Sequence, residues 1–138
     1  YKLAWLTQLQ HWLTAELAQH PRLVVLGDYN IAPDDRDCHD PVAWQGQVLV
    51  SAAERLAFNR LLELGLHDSF RLFHTEAGHY SWWDYRMAGF RRNLGMRIDH
   101  ILVSEALKPH CVSCEIDKAP RKLERPSDHT PVVLTLNQ

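Results

Sequence analysis

No apolar run in this 138-residue sequence approaches the ~20 residues that a membrane-spanning helix requires. No secretory signal stretch is visible either. Cysteine is scarce. Cys38, Cys111 and Cys114 cannot all pair within one chain, and with no export signal a reducing, cytoplasmic setting is expected. Positive charge is not in excess: Lys and Arg number 15 against 17 Asp and Glu, a formal charge of −2. No global basic field therefore announces a nucleic-acid partner, and any such contact must rest on local patches. Internal repeats, low-complexity tracts and linkers are absent. What remains is the profile of one globular domain, with 46% apolar and 23% charged residues, enough to bury a core without disulfides.

The chain opens on Tyr1 rather than Met, already inside a helical pattern, so an upstream part of the protein is expected. Leu3, Leu6, Leu9, Leu13 and Leu17 recur at helical spacing, with Trp5 and Trp12 beside them. This predicts an amphipathic helix over 3–18, ended by Pro21. Leu23 to Leu26 is a short apolar run that stops at Gly27, the pattern of a buried strand. A long polar loop follows over 34–47. Connections of that length without structure are often functional. Ser51-Ala-Ala-Glu54 is a capping box that starts a second helix, and Gly65 is its carboxy-terminal stop. Strands are expected at 80–83, 97–104, 111–116 and 132–136. The order of elements is mixed α/β, with the helices covering one face of the sheet. Cys111-x-x-Cys114 has zinc-ligand spacing, but no second pair answers it. A strand-borne pair of small residues is the other reading.

Three short blocks carry chemistry. Gly27-Asp28-Tyr29-Asn30 follows the first strand. In extended chain Asp28 and Asn30 point the same way, and a carboxylate beside an amide can hold a water and a phosphate oxygen together. A plain turn is the alternative. In the second block, Asn93-Leu-Gly-Met-Arg-Ile-Asp99, Asp99 lies in an apolar strand, where a carboxylate needs a partner such as a histidine. The third, Ser127-Asp128-His129, is held between Pro126 and Pro131 and suits metal and proton chemistry, or a capped turn.

Together these blocks resemble the endonuclease/exonuclease/phosphatase superfamily, and within it the exonuclease III-like abasic-site nucleases. That family's Asn-x-Gly-x-Arg-apolar-Asp pattern is met by Asn93, Gly95, Arg97, Ile98 and Asp99. Gly-Asp-x-Asn upstream and Ser-Asp-His downstream stand in the family's order, and Tyr80-Ser-Trp-Trp-Asp-Tyr85 is similar to its aromatic segment. The match runs from the first helix to the last strand and corresponds to the second half of a full-length relative.

The resemblance implies half of a four-layer α/β/β/α sandwich, deoxyribonuclease I-like, with a mixed sheet. It implies that Asp28 positions and deprotonates the attacking water, that Asn30 orients the water or a phosphate oxygen, and that His129 contacts the phosphate with Asp99 on its other ring nitrogen. Asp128 belongs to a Mg²⁺ (or Mn²⁺) site. Trp82, Met96 and Ile98 match an apolar slot for a base-less sugar, although one of Trp82 and Trp83 is expected to be core. Arg86, Arg91 and Arg92, with Phe90 among them, suit phosphate contacts and insertion into the base stack, or a solvated loop. The implied substrate is double-stranded DNA with an abasic site or a 3′ end.

The family's metal-binding Glu and an early Asn lie in a first half not contained in these residues, and Tyr1 matches no catalytic position. The chain alone is therefore expected to be inactive. The alternatives are a folding or self-association unit exposing a sheet face, or a superfamily cousin acting on lipid phosphates or RNA.

Overall fold

The computed structural model describes all 138 residues. Helix α1 (Lys2–Gln19) leads into β1 (Val24–Asp28). The one-turn helix α2 (Pro41–Trp44), α3 (Ala52–Leu62) and β2 (Leu66–Asp68) follow. The two-residue strands β3 (Trp82–Trp83) and β4 (Gly95–Met96) precede β5 (Asp99–Ser104), β6 (Cys111–Ile116) and β7 (Val132–Leu136). No helix is long and apolar enough to cross a membrane.

The central sheet has the order β1-β5-β2, while β3–β4 and β6–β7 form separate pairs. Every one of these pairings is antiparallel, so the mixed sheet expected from the sequence is not found among these strands. In the β1–β5 pair, Val25 faces Leu102 and Leu26 faces Ile101. Successive side chains point to opposite faces, so these are two different sides of the sheet.

The Val25–Leu102 side carries the core. Leu6 and Leu13 of α1, Phe58 and Leu61 of α3, Tyr29, Ile31, Leu66 and Leu102 form one buried cluster. The leucine period of α1 is thus explained by burial, with Leu9 and Leu17 packed at its margin and both Trp5 and Trp12 exposed. Helix α3 starts as its sequence requires. The Ser51 hydroxyl and the Glu54 carboxylate cap each other's backbone amides, and Glu54 also pairs with Lys2, tying the start of α1 to the start of α3. On the opposite side Ile101 and Val103 of β5 are also buried, while Leu26 on the edge strand β1 is 66% exposed.

Segment 34–47 is not a structureless loop. Asp34 caps a 3-10 turn at Asp35–Asp37, and Asp40 caps α2 through the Ala43 amide. Its middle is fastened inward, because Cys38 bridges Met96 and His39 donates its amide to the Gly95 carbonyl. The predicted strand over 97–104 is broken. Its chain leaves the ladder at Arg97 and Ile98, where the Ile98 carbonyl accepts the Tyr29 amide and the Ser81 hydroxyl accepts the amides of Ile98 and Asp99, both at 3.1 Å.

Candidate active site

The end of β1 and the start of β5 put Asp28 and Asp99 directly opposite one another. His129, on the turn before β7, reaches between them. Its Nδ1 lies 2.9 Å from Asp99 Oδ2, and its Nε2 lies 3.7 Å from Asp28 Oδ2 and 3.9 Å from Asp128 Oδ1. The turn is held by the Ser127 hydroxyl, which accepts the His129 amide, and by an antiparallel bridge from His129 to Trp82. Asp128 is steered by the indole of Trp82, which donates to Oδ2 at 3.1 Å. The sequence blocks around 28, 99 and 128 therefore converge on one cluster.

The electrostatics follow from the geometry. Burial opposes charge on the His129 ring. The Asp99 hydrogen bond, together with the charges of Asp99, Asp28 and Asp128, outweighs that burial and raises the imidazole pKa. The ring is thus biased towards imidazolium, with Nε2–H directed at the Asp28 side. Burial raises the Asp99 carboxyl, and the bonds from His129 and Ser81 offset only part of this.

Asn30 departs from the extended-chain expectation. The strand ends at Asp28, and Asn30 is left-handed, with φ +52°. Its own amide donates to Asp28 Oδ1 at 2.8 Å, and its carbonyl accepts from Lys2. Asp28 therefore keeps one oxygen in the turn and offers the other to the site. The turn and the site are the same structure here, not alternatives.

The Asn-x-Gly-x-Arg portion of the second block is scaffold. Asn93 accepts from the Trp83 indole at 3.1 Å and donates to the Gly78 carbonyl at 3.2 Å. A Cβ on Gly95 would come within 2.5 Å of the Trp82 carbonyl oxygen and of the Trp83 ring, so only glycine fits beneath that indole. Arg97 is buried between Asp37, at 2.7 Å, and Asp68, at 2.6 Å. Asp37 also pairs with Arg71. Sequence reasoning missed Asp37, Asp68 and Ser81. The available signal was Arg97 itself, a guanidinium in an apolar stretch that demands carboxylate partners.

Trp82, Met96 and Ile98 do come together. Met96 and Ile98 belong to a buried cluster with Ala32, Cys38 and Val50, and half-buried Trp82 packs against it. Only Trp82 of the three presents surface. Trp83 is the core member of the tryptophan pair, fully buried and edge-on to Phe90 at 4.9 Å, with the Arg121 guanidinium over the Phe90 ring. In the 84–94 loop, Arg86 is paired with Asp84, while Arg91 and Arg92 are exposed.

The two cysteines of the C-x-x-C spacing go separate ways. Cys111 Sγ contacts the Leu107 carbonyl, and Cys114 receives the Ser69 hydroxyl. Two surface hollows lie elsewhere, one of them between α1 and α3. Neither lines the carboxylate–histidine cluster, which is an open surface site.

Metal capacity can be read from the donors. Asp28, Asp99 and His129 offer ligand atoms within 4.8 Å of one another. Asp99 is committed to the histidine, which leaves the outward oxygens of Asp28 and Asp128. Partly exposed carboxylate oxygens with space for waters fit a hard cation such as Mg²⁺.

Residues 1–129 match the family model described as Endonuclease/Exonuclease/phosphatase family. The exodeoxyribonuclease III of Haemophilus influenzae is 40% identical over 131 residues, covering 90% of this chain and 49% of that protein. The structure of the 3′ phosphatase NExo from Neisseria bound to a product DNA hairpin superposes with a TM-score of 0.96 at 46% identity, over 98% of this chain and 52% of that one. An AP endonuclease from Archaeoglobus fulgidus gives 0.94 at 37% identity, over 100% of this chain and 54% of that one. The chain spans about half the length of these relatives. With the cluster built from the blocks around 28, 99 and 128, the chain belongs to the Endonuclease/Exonuclease/phosphatase family and is of the exonuclease III type.

Proposed function

We propose that these residues supply one side of the active site of a Mg²⁺-dependent hydrolase of DNA phosphodiesters. It would act at abasic sites and at 3′ ends. The observation that carries this is His129 held between Asp99 and Asp28. The 3.7 Å between Nε2 and Asp28 Oδ2 is too long for a direct hydrogen bond and leaves room for a substrate oxygen or an attacking water. Asp28, anchored through Oδ1, uses Oδ2 to orient and deprotonate the water. His129, favoured as imidazolium, donates from Nε2 to a non-bridging phosphate oxygen. Asp99 fixes the ring's orientation through Nδ1. Asn30 borders the same opening.

Asp128 is the residue of this chain that would hold Mg²⁺, which when bound would neutralise charge developing on the phosphate and its leaving oxygen. Trp82, at the rim of the Met96–Ile98 cluster, would give the base-less sugar a flat apolar wall. Arg86, Arg91 and Arg92 on the 84–94 loop would meet the DNA backbone. The relatives are about twice as long, and we assign the remaining metal-binding carboxylate to residues outside these 138, so this chain alone should be inactive.

The test uses the longer protein, an abasic duplex and Mg²⁺. Asp28→Asn and His129→Ala should each lower the rate ~10²-fold or more. Rates equal to the parent would overturn the assignment. A lipid phosphate or an RNA cut in preference to abasic DNA would move the protein to another branch of the family.

A second reading rests on Leu26. It is 66% exposed on the sheet side away from the helices, in line with Asp28 and opposite Ile101. Ile101 and Val103 on that side are buried, so it is the apolar β1 edge of the sheet that would favour association with a second copy. Sedimentation of the isolated chain as a monomer at all concentrations would remove that reading.

A further inference from the structure

We propose that His74, Glu76 and His79 form a second metal site, selective for a borderline divalent cation of the Zn²⁺ class and separate from the catalytic cluster. The three residues lie between the 3-10 turn at Ser69–Leu72 and β3. Their ligand atoms fall within 4.8 Å of one another. His79 Nε2 is 3.0 Å from Glu76 Oε1, and His74 Nδ1 is 3.8 Å from the same oxygen. Two ligands bound tetrahedrally to one zinc ion stand about 3.4 Å apart, and these two gaps bracket that spacing.

The groups are pre-set from behind, as ligands of a built site are. The far nitrogen of His74, Nε2, donates to the Cys114 carbonyl at 2.9 Å, with Glu115 Oε1 at 3.2 Å. That bond puts the proton on Nε2 and leaves Nδ1 as a lone pair facing Glu76. Glu76 Oε2 accepts the Thr75 amide at 2.9 Å, which leaves Oε1 for the cation. Arg71 fixes the loop backbone through the carbonyls of His74 and Glu76. Phe70 stacks on His74, with centroids 4.4 Å apart, and meets His79 edge-on at 5.5 Å.

Two imidazoles with one carboxylate suit Zn²⁺ or Co²⁺ and do not suit Mg²⁺, which takes oxygen ligands and keeps its waters. The cation that serves phosphodiester hydrolysis would thus not compete here. The consequence is structural. A cation at this position closes the 74–79 loop, already bonded to β6 through His74, immediately before Ser81, whose hydroxyl holds the Asp99 amide.

The test is calorimetric titration of the chain with Zn²⁺ in excess Mg²⁺, together with Co²⁺ visible absorption and thermal melts. One ion should bind and raise the melting temperature. His79→Ala and Glu76→Gln, both at exposed side chains, should each weaken binding about 10-fold or more, with the far-ultraviolet circular dichroism unchanged. His129→Ala and Asp28→Asn should leave this binding intact. The proposal is overturned if the parent binds no Zn²⁺, if His79→Ala binds as tightly as the parent, or if binding disappears in His129→Ala instead.

Discussion

Asp28 and Asp99 are cross-strand partners, two carboxylates at a position where like charges repel, and the His129 ring between them makes the pairing tenable. Asp99→Asn should therefore lower the imidazole pKa of His129 towards its ordinary value, as read by NMR titration. The sign follows from the raised folded-state value. The ring's contribution to stability is present at low pH and is lost as pH rises through that value. In Asp99→Asn this pH-dependent part should shrink. An unmoved His129 titration would mean that Asp28 and Asp128 set the shift without Asp99.

Ser81 is buried and accepts two main-chain amides, those of Ile98 and Asp99. Ser81→Ala leaves both donors without that partner inside the protein. It should cost about 1–3 kcal/mol in urea unfolding. It should also loosen Asp99, so that in the longer protein kcat falls further than stability alone explains. Ser81→Thr keeps the hydroxyl and should recover part of the loss.

Gly95 lies against the Trp82 carbonyl and the Trp83 ring. A methyl group there has nowhere to go without moving backbone. Gly95→Ala should destabilise by about 1–3 kcal/mol and shift the fluorescence of Trp83 as its indole leaves Asn93. Gly65→Ala, where a Cβ meets open space but φ is +99°, would separate backbone strain from crowding.

Arg97, Asp37 and Asp68 form a buried charge network. Arg97→Ala strands the Asp68 carboxylate and leaves Asp37 to Arg71 alone, and it should cost about 3–5 kcal/mol. The neighbouring His100 supplies the pH dependence. Its Nδ1 accepts from Arg97 at 3.2 Å and its Nε2 donates to the Ile31 carbonyl at 2.8 Å. Burial first, then the Arg97 charge, lowers its pKa to about 4, against the opposing pull of Asp68 and Asp37. The folded state therefore binds fewer protons than the unfolded state between about 4 and the ordinary value of 6.5. Stability should be full above that window and should fall by about 3 kcal/mol as pH drops through it. The difference between the parent and His100→Asn in urea melts from pH 4 to 7 isolates this contribution. Parallel curves would refute it.

Local signals carried much of the fold. The leucine period of α1 and the Ser51–Glu54 box read correctly because burial on one helix face and amide capping are decided within a few residues. The three blocks that converge on the candidate site were legible for the same reason: each is a short string. What joins them was not. The break before β5 depends on a hydroxyl at Ser81 meeting amides at Ile98 and Asp99. The burial of Asp37 depends on Arg97, and nothing adjacent to either residue says so. Asn30 misled the alternation argument because the strand ends at Asp28 and the chain turns left-handed at Asn30, two positions on. Met96 and Ile98 read as slot residues by position, while their packing with Cys38 and Val50 needs the 34–47 segment folded over them.

The Arg97 network also bears on how the molecule assembles. Arg97 is 60 residues from Asp37 in the chain, His100 is 69 residues from Ile31, and His129 is 30 residues from Asp99. Closing loops of this size costs entropy that is returned only once the distant partners meet. The carboxylate–histidine cluster should therefore appear late in folding, after α1, α3 and the central strands have docked. A partly folded chain would carry the sequence blocks without the cluster, so the proposed engagement of a phosphodiester would become a report on completed folding.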